Sequence, residues 1–223
     1  MKNIVVFTGA GISAESGLGT FRDSGGLWDN YKIEDVATPD AFKKNPELVL
    51  EFYNIRRRQL ISSSPNSAHY ALNKLQQNFN LQIITQNIDD LHERSGSNNV
   101  LHLHGKLRQS KSTLDNKLYE IEGSELILGD LCPNGAQLRP NVVWFGEAVP
   151  MMDVAIEIVK TADIFIIIGT SLNVYPAASL IHYTSNSCEK YIIDPNADDY
   201  QGINVIRKKA SESVPILVDQ LIS

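Results

Sequence analysis

Near the N-terminus a run of strand-forming residues, Ile4-Val5-Val6-Phe7-Thr8, leads straight into Gly9-Ala10-Gly11-Ile12-Ser13-Ala14-Glu15-Ser16-Gly17. An uninterrupted apolar strand has to be covered on both faces, which places it inside a parallel sheet rather than at a solvated edge. Closely spaced glycines at its C-terminal end, followed by a helix, let backbone N–H groups come up to a pyrophosphate. The same glycines also serve tight strand-to-helix turns that bind nothing. Gly19-Thr20-Phe21-Arg22-Asp23 follows, and its aromatic and cation suit a loop that closes over a dinucleotide.

Strand and helix signals then alternate. Pro39 starts a short helix through Lys44, and Pro46 starts a second, with Leu48, Val49, Phe52, Ile55 and Leu60 as its apolar stripe. A third helix follows Pro65-Asn66. Leu81–Thr85, Val100–Leu103, Ile164–Ile168 and Tyr191–Ile193 read as strands and Asn204–Ile206 as an edge, with helices over Met151–Thr161 and Ser213–Ile222. Apolar strands separated by helices predict an α/β fold built on a parallel sheet covered on both faces. The polar, mixed stretch from Lys106 to Arg139 breaks the alternation and reads as an inserted module. Within it Leu118, Tyr119, Ile121, Leu126, Ile127 and Leu128 suit a small hairpin with its own apolar face.

The chain has 223 residues, and the net charge of −6 argues against a general nucleic-acid binder. No apolar run approaches the roughly 20 residues that span a bilayer, and Met1-Lys2-Asn3 leaves no room for a cleavable leader before the first strand. Two cysteines, Cys132 and Cys188, make no disulfide framework, so a cytoplasmic, non-membrane protein is expected.

Three further constellations stand at strand ends, where open α/β sheets place ligands. Thr85-Gln86-Asn87-Ile88-Asp89 offers amides and a carboxylate for a ribose and a carboxamide, or simply a capped turn. In Leu101-His102-Leu103-His104-Gly105 both histidines share one strand face, but His104 alone stands at the strand's end beside a glycine. Gly169-Thr170-Ser171 follows the most apolar strand and suits a phosphate or ribose, or a helix cap.

Taken in order, these pieces resemble the sirtuins, the NAD-dependent protein lysine deacylases. The resemblance runs through Gly9 to Ser13, Gly17 to Arg22, Gln86 to Asp89, His104-Gly105, Arg139-Pro140-Asn141-Val142-Val143-Trp144-Phe145-Gly146-Glu147 and Gly169-Thr170-Ser171. It implies a Rossmann-like, doubly wound large domain over residues 1–105 and 140–223, with the small module over 106–139. It further implies that NAD lies across the C-terminal edge of the sheet, and that acyl-lysine proteins or peptides enter from the cleft. In the implied reaction the acyl oxygen attacks the nicotinamide ribose and nicotinamide leaves. His104 then acts as general base toward the ribose hydroxyls, and O-acyl-ADP-ribose and free lysine result. A histidine suits that step because its usual pKa of about 6.5 leaves it able to accept a proton.

By the same carry-over Asn87 and Asp89 line the nicotinamide pocket beside Ile88, and Gln86 contacts the ribose. Phe21 shields the reactive carbon, and Gly9, Ala10, Gly11, Arg22, Gly169, Thr170 and Ser171 hold the rest of the cofactor. Val143, Phe145, Gly146 and Glu147 belong to a segment that offers the substrate backbone hydrogen bonds. Asp194 and Asn196 fall near the adenosine, where the family pattern often has asparagine at the first position. Phe52-Tyr53-x-x-Arg56, with Ala37 upstream, looks like the subclass that removes succinyl and other acidic acyl groups. A guanidinium grips a carboxylate, a phenol adds a bond, and alanine leaves room for the chain. The competing reading makes Arg56-Arg57-Arg58 a solvated basic face.

Where sirtuins usually carry two Cys-x-x-Cys pairs for a tetrahedral zinc, the module holds Cys132 alone, so no metal is expected. Two other activities stay open at this stage: an NAD-binding sensor without catalysis, and ADP-ribosyl transfer or NAD hydrolysis. A monomer is expected.

Overall fold

The central strand β1 (Asn3–Thr8) is buried from Ile4 to Phe7, because neighbours flank it and helices cover both its faces. The structure, a computed structural model, describes residues 1–19, 30–170, 172 and 174–223. The expected Phe21, Arg22 and Ser171 contacts lie outside the described residues.

Six strands run parallel in the order β3-β2-β1-β7-β8-β9. They are β1, β2 (Asn80–Thr85), β3 (Val100–His102), β7 (Ile164–Ile168), β8 (Glu189–Ile193) and β9 (Asn204–Ile206). Alternation along the strands sorts their side chains into two cores. Ile4, Val6, Ile164, Ile166 and Ile168 pack under α5 (Ser67–Lys74) and α8 (Ala210–Ile222). Val5, Phe7, Phe165 and Ile167 pack under α7 (Met152–Lys160) and the 3-10 helix Ala177–Tyr183. The chain therefore winds in both directions from β1, and its switch point lies between β1 and β7. The doubly wound parallel sheet expected from the sequence is the fold observed.

The helices α1 (Gly11–Ala14) and α2 (Ile33–Val36) are single turns. In α3 (Pro39–Lys44) and α4 (Pro46–Ser62) a proline fills the first turn and a side chain caps it. Thr38 Oγ1 accepts the Ala41 N–H at 3.0 Å, and Asn45 Oδ1 accepts the Leu48 N–H at 3.1 Å. The remaining helix, α6 (Leu91–Arg94), follows the β2 loop. Among the described residues no helix is long and apolar enough to cross a membrane.

A second sheet, antiparallel in the order β5-β4-β6, joins β4 (Gly105–Ser112), β5 (Leu118–Glu120) and β6 (Leu138–Val142). The expected hairpin with an apolar face of its own does not form. Ile121 and Leu126 bury themselves against Leu50 of α4, while Leu118, Ile127 and Leu128 are exposed. A small sheet becomes stable by packing against a helix, and α4 supplies that surface here. Polar contacts complete that attachment. Arg57, 0% exposed, donates from Nε to the Leu107 carbonyl at 2.8 Å and from Nη1 to the Ser124 carbonyl and Asn54 Oδ1, both at 2.8 Å. Asn54 exchanges two bonds with the Leu126 backbone, at 3.0 and 3.1 Å. The Arg56-Arg57-Arg58 run is therefore no uniform solvated face. Arg57 is a buried clamp, and Arg58 alone is an exposed ion-pair partner, of Glu51 and Glu125.

Candidate active site

The ends of β1 and β7 meet backbone to backbone. Gly9 N–H donates to the Ile168 carbonyl and Gly11 N–H to the Gly169 carbonyl, both at 2.9 Å. Gly169 has φ +62°, and a Cβ there would sit 2.4 Å from Ile12 N; a Cβ on Gly11 would sit 2.6 Å from Gly169 Cα. These glycines are needed first for two loops to cross at the switch point. That crossing forms the floor of the crevice where such sheets bind ligands.

All the described cofactor positions expected from the sequence gather on this edge. Gly9 to Gly11 follow β1, Gln86 to Asp89 follow β2, His104 follows β3, Gly169 and Thr170 follow β7, and Asp194 and Asn196 follow β8. Gln86 Nε2 donates to Thr170 Oγ1 at 3.1 Å, tying the β2 and β7 loops across the crevice. Asn87 Nδ2 donates to the Gly9 carbonyl at 3.1 Å and to Ser13 Oγ at 3.2 Å, which leaves its oxygen as the accepting end. Ser13 Oγ donates to Asp89 Oδ2 at 3.0 Å, and Asp89 Oδ1 accepts the Leu91 N–H at 3.2 Å. Burial raises the Asp89 pKa against the pull of those two bonds. Ile88 turns the other way: its side chain joins the α4 core and its carbonyl accepts the Leu107 N–H at 2.8 Å. Asp194 Oδ1 caps the Asn196 N–H at 2.8 Å, closing the turn after β8.

The two histidines of the β3 end meet consecutive carbonyls. His104 Nδ1 lies 2.9 Å from the Gln86 oxygen, and His102 Nδ1 lies 2.9 Å from the Asn87 oxygen. A carbonyl only accepts, so both Nδ1 atoms carry hydrogen. In His104 this leaves the lone pair of a neutral ring on Nε2. Burial lowers its pKa, with the Gln86 bond acting in the opposite sense. The chain then turns sharply at Gly105, whose φ is +82° and where a Cβ would fall 2.1 Å from the Asn141 carbonyl oxygen. Val143 N–H donates to the His104 carbonyl at 2.9 Å, so the β6 end is stitched to the histidine itself.

Beyond β6 the segment is a closed turn. Phe145 N–H donates to the Ala37 carbonyl at 3.0 Å, Glu147 N–H to the Trp144 carbonyl at 3.0 Å, and Trp144 N–H to Glu147 Oε2 at 2.8 Å. Arg139 grips Glu147 with both terminal nitrogens, at 2.6 and 3.0 Å, and its guanidinium lies 3.3 Å from the Trp144 ring centre. Burial opposes ionisation of Glu147, but the Arg139 and Trp144 bonds hold its pKa below the usual range. The N–H groups of Val143, Trp144, Phe145 and Glu147 are thus occupied internally. The Gly146 N–H is not among these internal bonds.

Tyr53 and Arg56 stand one turn apart on α4, with Tyr53 buried against Trp144. The Tyr53 hydroxyl accepts the Trp144 Nε1–H at 3.0 Å, and burial pushes its pKa up to about 12. It keeps its own hydrogen to donate. The Arg56 guanidinium lies 5.7 Å from the Phe52 ring centre and 5.8 Å from that of Tyr53. Burial lowers its pKa, while Tyr53 and Asp89 act to raise it, so the arginine feels the buried carboxyl of the β2 loop. Ala37 is buried in the same cluster as Phe52, Tyr53 and Trp144.

Ser13, which links Asn87 to Asp89, lies in the glycine motif but carries no role in the sequence reading. A serine two residues past the second glycine was the one available signal for that link. Among the described residues no three His, Cys, Asp or Glu side chains converge as metal ligands. The tetrahedral zinc of the resemblance needs four donors, and residues 106–139 hold one thiol, Cys132, and no histidine.

A doubly wound sheet with its switch-point crevice beside a small antiparallel sheet puts the chain among the nucleotide-binding α/β proteins with an inserted module. The chain belongs to the Sir2 family, whose profile matches residues 9–176. It is 52% identical over 231 residues to an NAD-dependent protein deacylase of Bacteroides thetaiotaomicron, covering 100% of this chain and 99% of that protein. It is 50% identical over 225 residues to the NAD-dependent protein deacylase of Helicobacter pylori strain J99, covering 100% and 96%. Among solved structures, a Sir2 homolog–NAD complex superposes with a TM-score of 0.90 at 42% identity, covering 99% of this chain and 90% of that one. A Sir2 variant bound to deacetylated p53 peptide and 3′-O-acetyl ADP-ribose superposes with a TM-score of 0.82 at 32% identity, covering 98% and 93%. The sirtuin resemblance read from the motifs is borne out.

Proposed function

We propose that this chain is an NAD-dependent protein lysine deacylase that releases nicotinamide and O-acyl-ADP-ribose. The full-length similarity to NAD-dependent protein deacylases supports the class. The observation that carries the chemistry is the His104–Gln86 hydrogen bond, which fixes one tautomer and leaves Nε2 as a base at the crevice.

The buried amide, hydroxyl and carboxyl groups after β1 and β2 fit the cofactor, since a carboxamide needs both an acceptor and a donor partner. Bound NAD supplies an electrophilic ribose carbon and a nicotinamide leaving group. Asn87 and Asp89 hold the carboxamide, the former through its free oxygen, while Gln86 and Thr170 meet the ribose. Gly9, Ala10, Gly11 and Gly169 form the floor, and Asp194 and Asn196 stand at the adenosine end. His104 Nε2 takes the proton from a ribose hydroxyl; neutral at physiological pH, it needs no prior deprotonation. Val143, Phe145, Gly146 and Glu147 align the acyl-lysine segment through their backbone.

Tyr53 and Arg56 select acidic acyl groups, succinyl among them, with Ala37 leaving room beside them. A charged hydrogen bond contributes about 1.5–3 kcal/mol, or roughly tenfold to hundredfold preference over acetyl. The module works without zinc, held by Arg57 and Asn54 in its place. The enzyme acts as a cytoplasmic monomer, a placement that rests on two unpaired cysteines. NAD-dependent removal of succinyl from a lysine peptide, with nicotinamide release, tests the reading. NAD bound without turnover would favour a sensor, and a peptide that gains ADP-ribose would favour transfer.

A further inference from the structure

The proposed reaction gives His102 no task, yet the chain buries it at 7% exposure, two residues before His104. Its Nδ1 donates to the Asn87 carbonyl at 2.9 Å. Its Nε2 lies 2.8 Å from Glu93 Oε1, and Lys106 Nζ lies 2.8 Å from the same oxygen. Burial opposes ionisation of Glu93, but the hydrogen bond and charge of His102, with the bond from Lys106, bring its pKa down to about 2. Glu93 is therefore a carboxylate, held between His102 and Lys106.

The Asn87 turn is consequently pinned from three sides. Its N–H donates to Thr85 Oγ1 at 3.0 Å, its side chain reaches Gly9 and Ser13, and its carbonyl receives His102. Thr85 Oγ1 is itself held by Thr8 Oγ1 at 2.8 Å.

We infer that His102 is a positioning residue: backed by Glu93 and Lys106, it donates to the Asn87 carbonyl and fixes the turn that aims the Asn87 amide and seats His104. This role rests on the reading of Asn87 and His104 given above, so its test begins with a measurement independent of turnover. Imidazole nitrogen NMR of the wild-type chain is expected to find hydrogen on Nδ1 of both His102 and His104, each facing a carbonyl. His102→Leu, checked for cooperative unfolding, is expected to weaken NAD binding by calorimetry and to lower kcat/KM for NAD, each about tenfold. His102→Asn keeps a donor for the Asn87 carbonyl and is expected to recover part of both.

A wild-type His102 without hydrogen on Nδ1 overturns the inference. So does a folded His102→Leu chain with unchanged NAD binding and kcat/KM. Should His102→Leu not fold, Glu93→Gln, which removes the charged partner behind His102, is expected to weaken NAD binding in the same direction, and unchanged binding overturns the inference. A wild-type chain without turnover refutes the proposed function instead, and the NMR spectra with NAD calorimetry then decide the role of His102 by themselves.

Discussion

His104 donates its Nδ1 hydrogen to the Gln86 carbonyl at 2.9 Å, so the proposed general base is held by the loop proposed to meet the ribose. Burial lowers the His104 pKa below its usual value of about 6.5. The neutral base therefore persists below that pH, and activity is lost only as pH falls through the lowered pKa. The acid limb of kcat/KM should have its midpoint below about 6.5. A midpoint above that value would contradict the assignment.

Arg56→Met is expected to reduce desuccinylation roughly tenfold to hundredfold while leaving deacetylation within a few-fold of wild type. Parallel kcat/KM measurements on succinyl- and acetyl-lysine forms of one peptide check it. Equal losses on both would remove Arg56 from the acyl pocket.

The small sheet hangs on Arg57, whose Nε and Nη1 serve the Leu107 and Ser124 carbonyls. Burial brings its pKa down to about 10 with Glu125 opposing, so it stays cationic at neutral pH. Arg57→Met leaves the buried Leu107 carbonyl and the half-buried Ser124 carbonyl without this partner and is expected to cost on the order of 3 kcal/mol, read by urea unfolding. Chelators are expected to leave the wild-type Tm unchanged. Stoichiometric zinc retained through dialysis would contradict this account of the module.

Acid should destabilise the fold through a buried histidine pair. His69 and His92 stack edge to face at 5.0 Å, and His69 Nδ1 accepts the Asn66 N–H at 3.3 Å. Burial brings the His69 pKa down to about 4 and that of His92 well below its usual value. Between about 6.5 and 4 the unfolded chain binds the extra proton, so stability falls as pH drops. His69 alone should account for a loss of about 2 kcal/mol between pH 7 and 5. Urea midpoints at the two pH values measure it, and His69→Gln, which keeps an acceptor for Asn66, should flatten the slope.

Local signals carried far in this chain. The helix Pro39–Lys44 and the strand Ile164–Ile168 stand where proline punctuation and unbroken apolar residues put them. The strand-end motifs also arrive together, because parallel strands with right-handed crossovers bring their C-terminal ends to one edge. What stayed hidden depends on contacts across long stretches of chain. Arg57 reaches carbonyls 50 and 67 residues away, and nothing in Arg56-Arg57-Arg58 tells the buried arginine from its exposed neighbour. Ile121 and Leu126 suggested a core of their own, when Leu50 of α4 was the surface they needed. The glycines carried the opposite lesson: their spacing pointed at a ligand, while their first duty is to let Gly11 and Gly169 touch.

The most direct measurement compares wild type with His104→Ala on NAD and a succinyl-lysine peptide, following every product by mass spectrometry and NAD binding by calorimetry. Wild type should give equal amounts of free peptide, nicotinamide and O-succinyl-ADP-ribose. The variant should bind NAD yet lose at least about a hundredfold in turnover. Undiminished deacylation by His104→Ala, or free peptide without the matching ADP-ribose ester from wild type, would contradict the account.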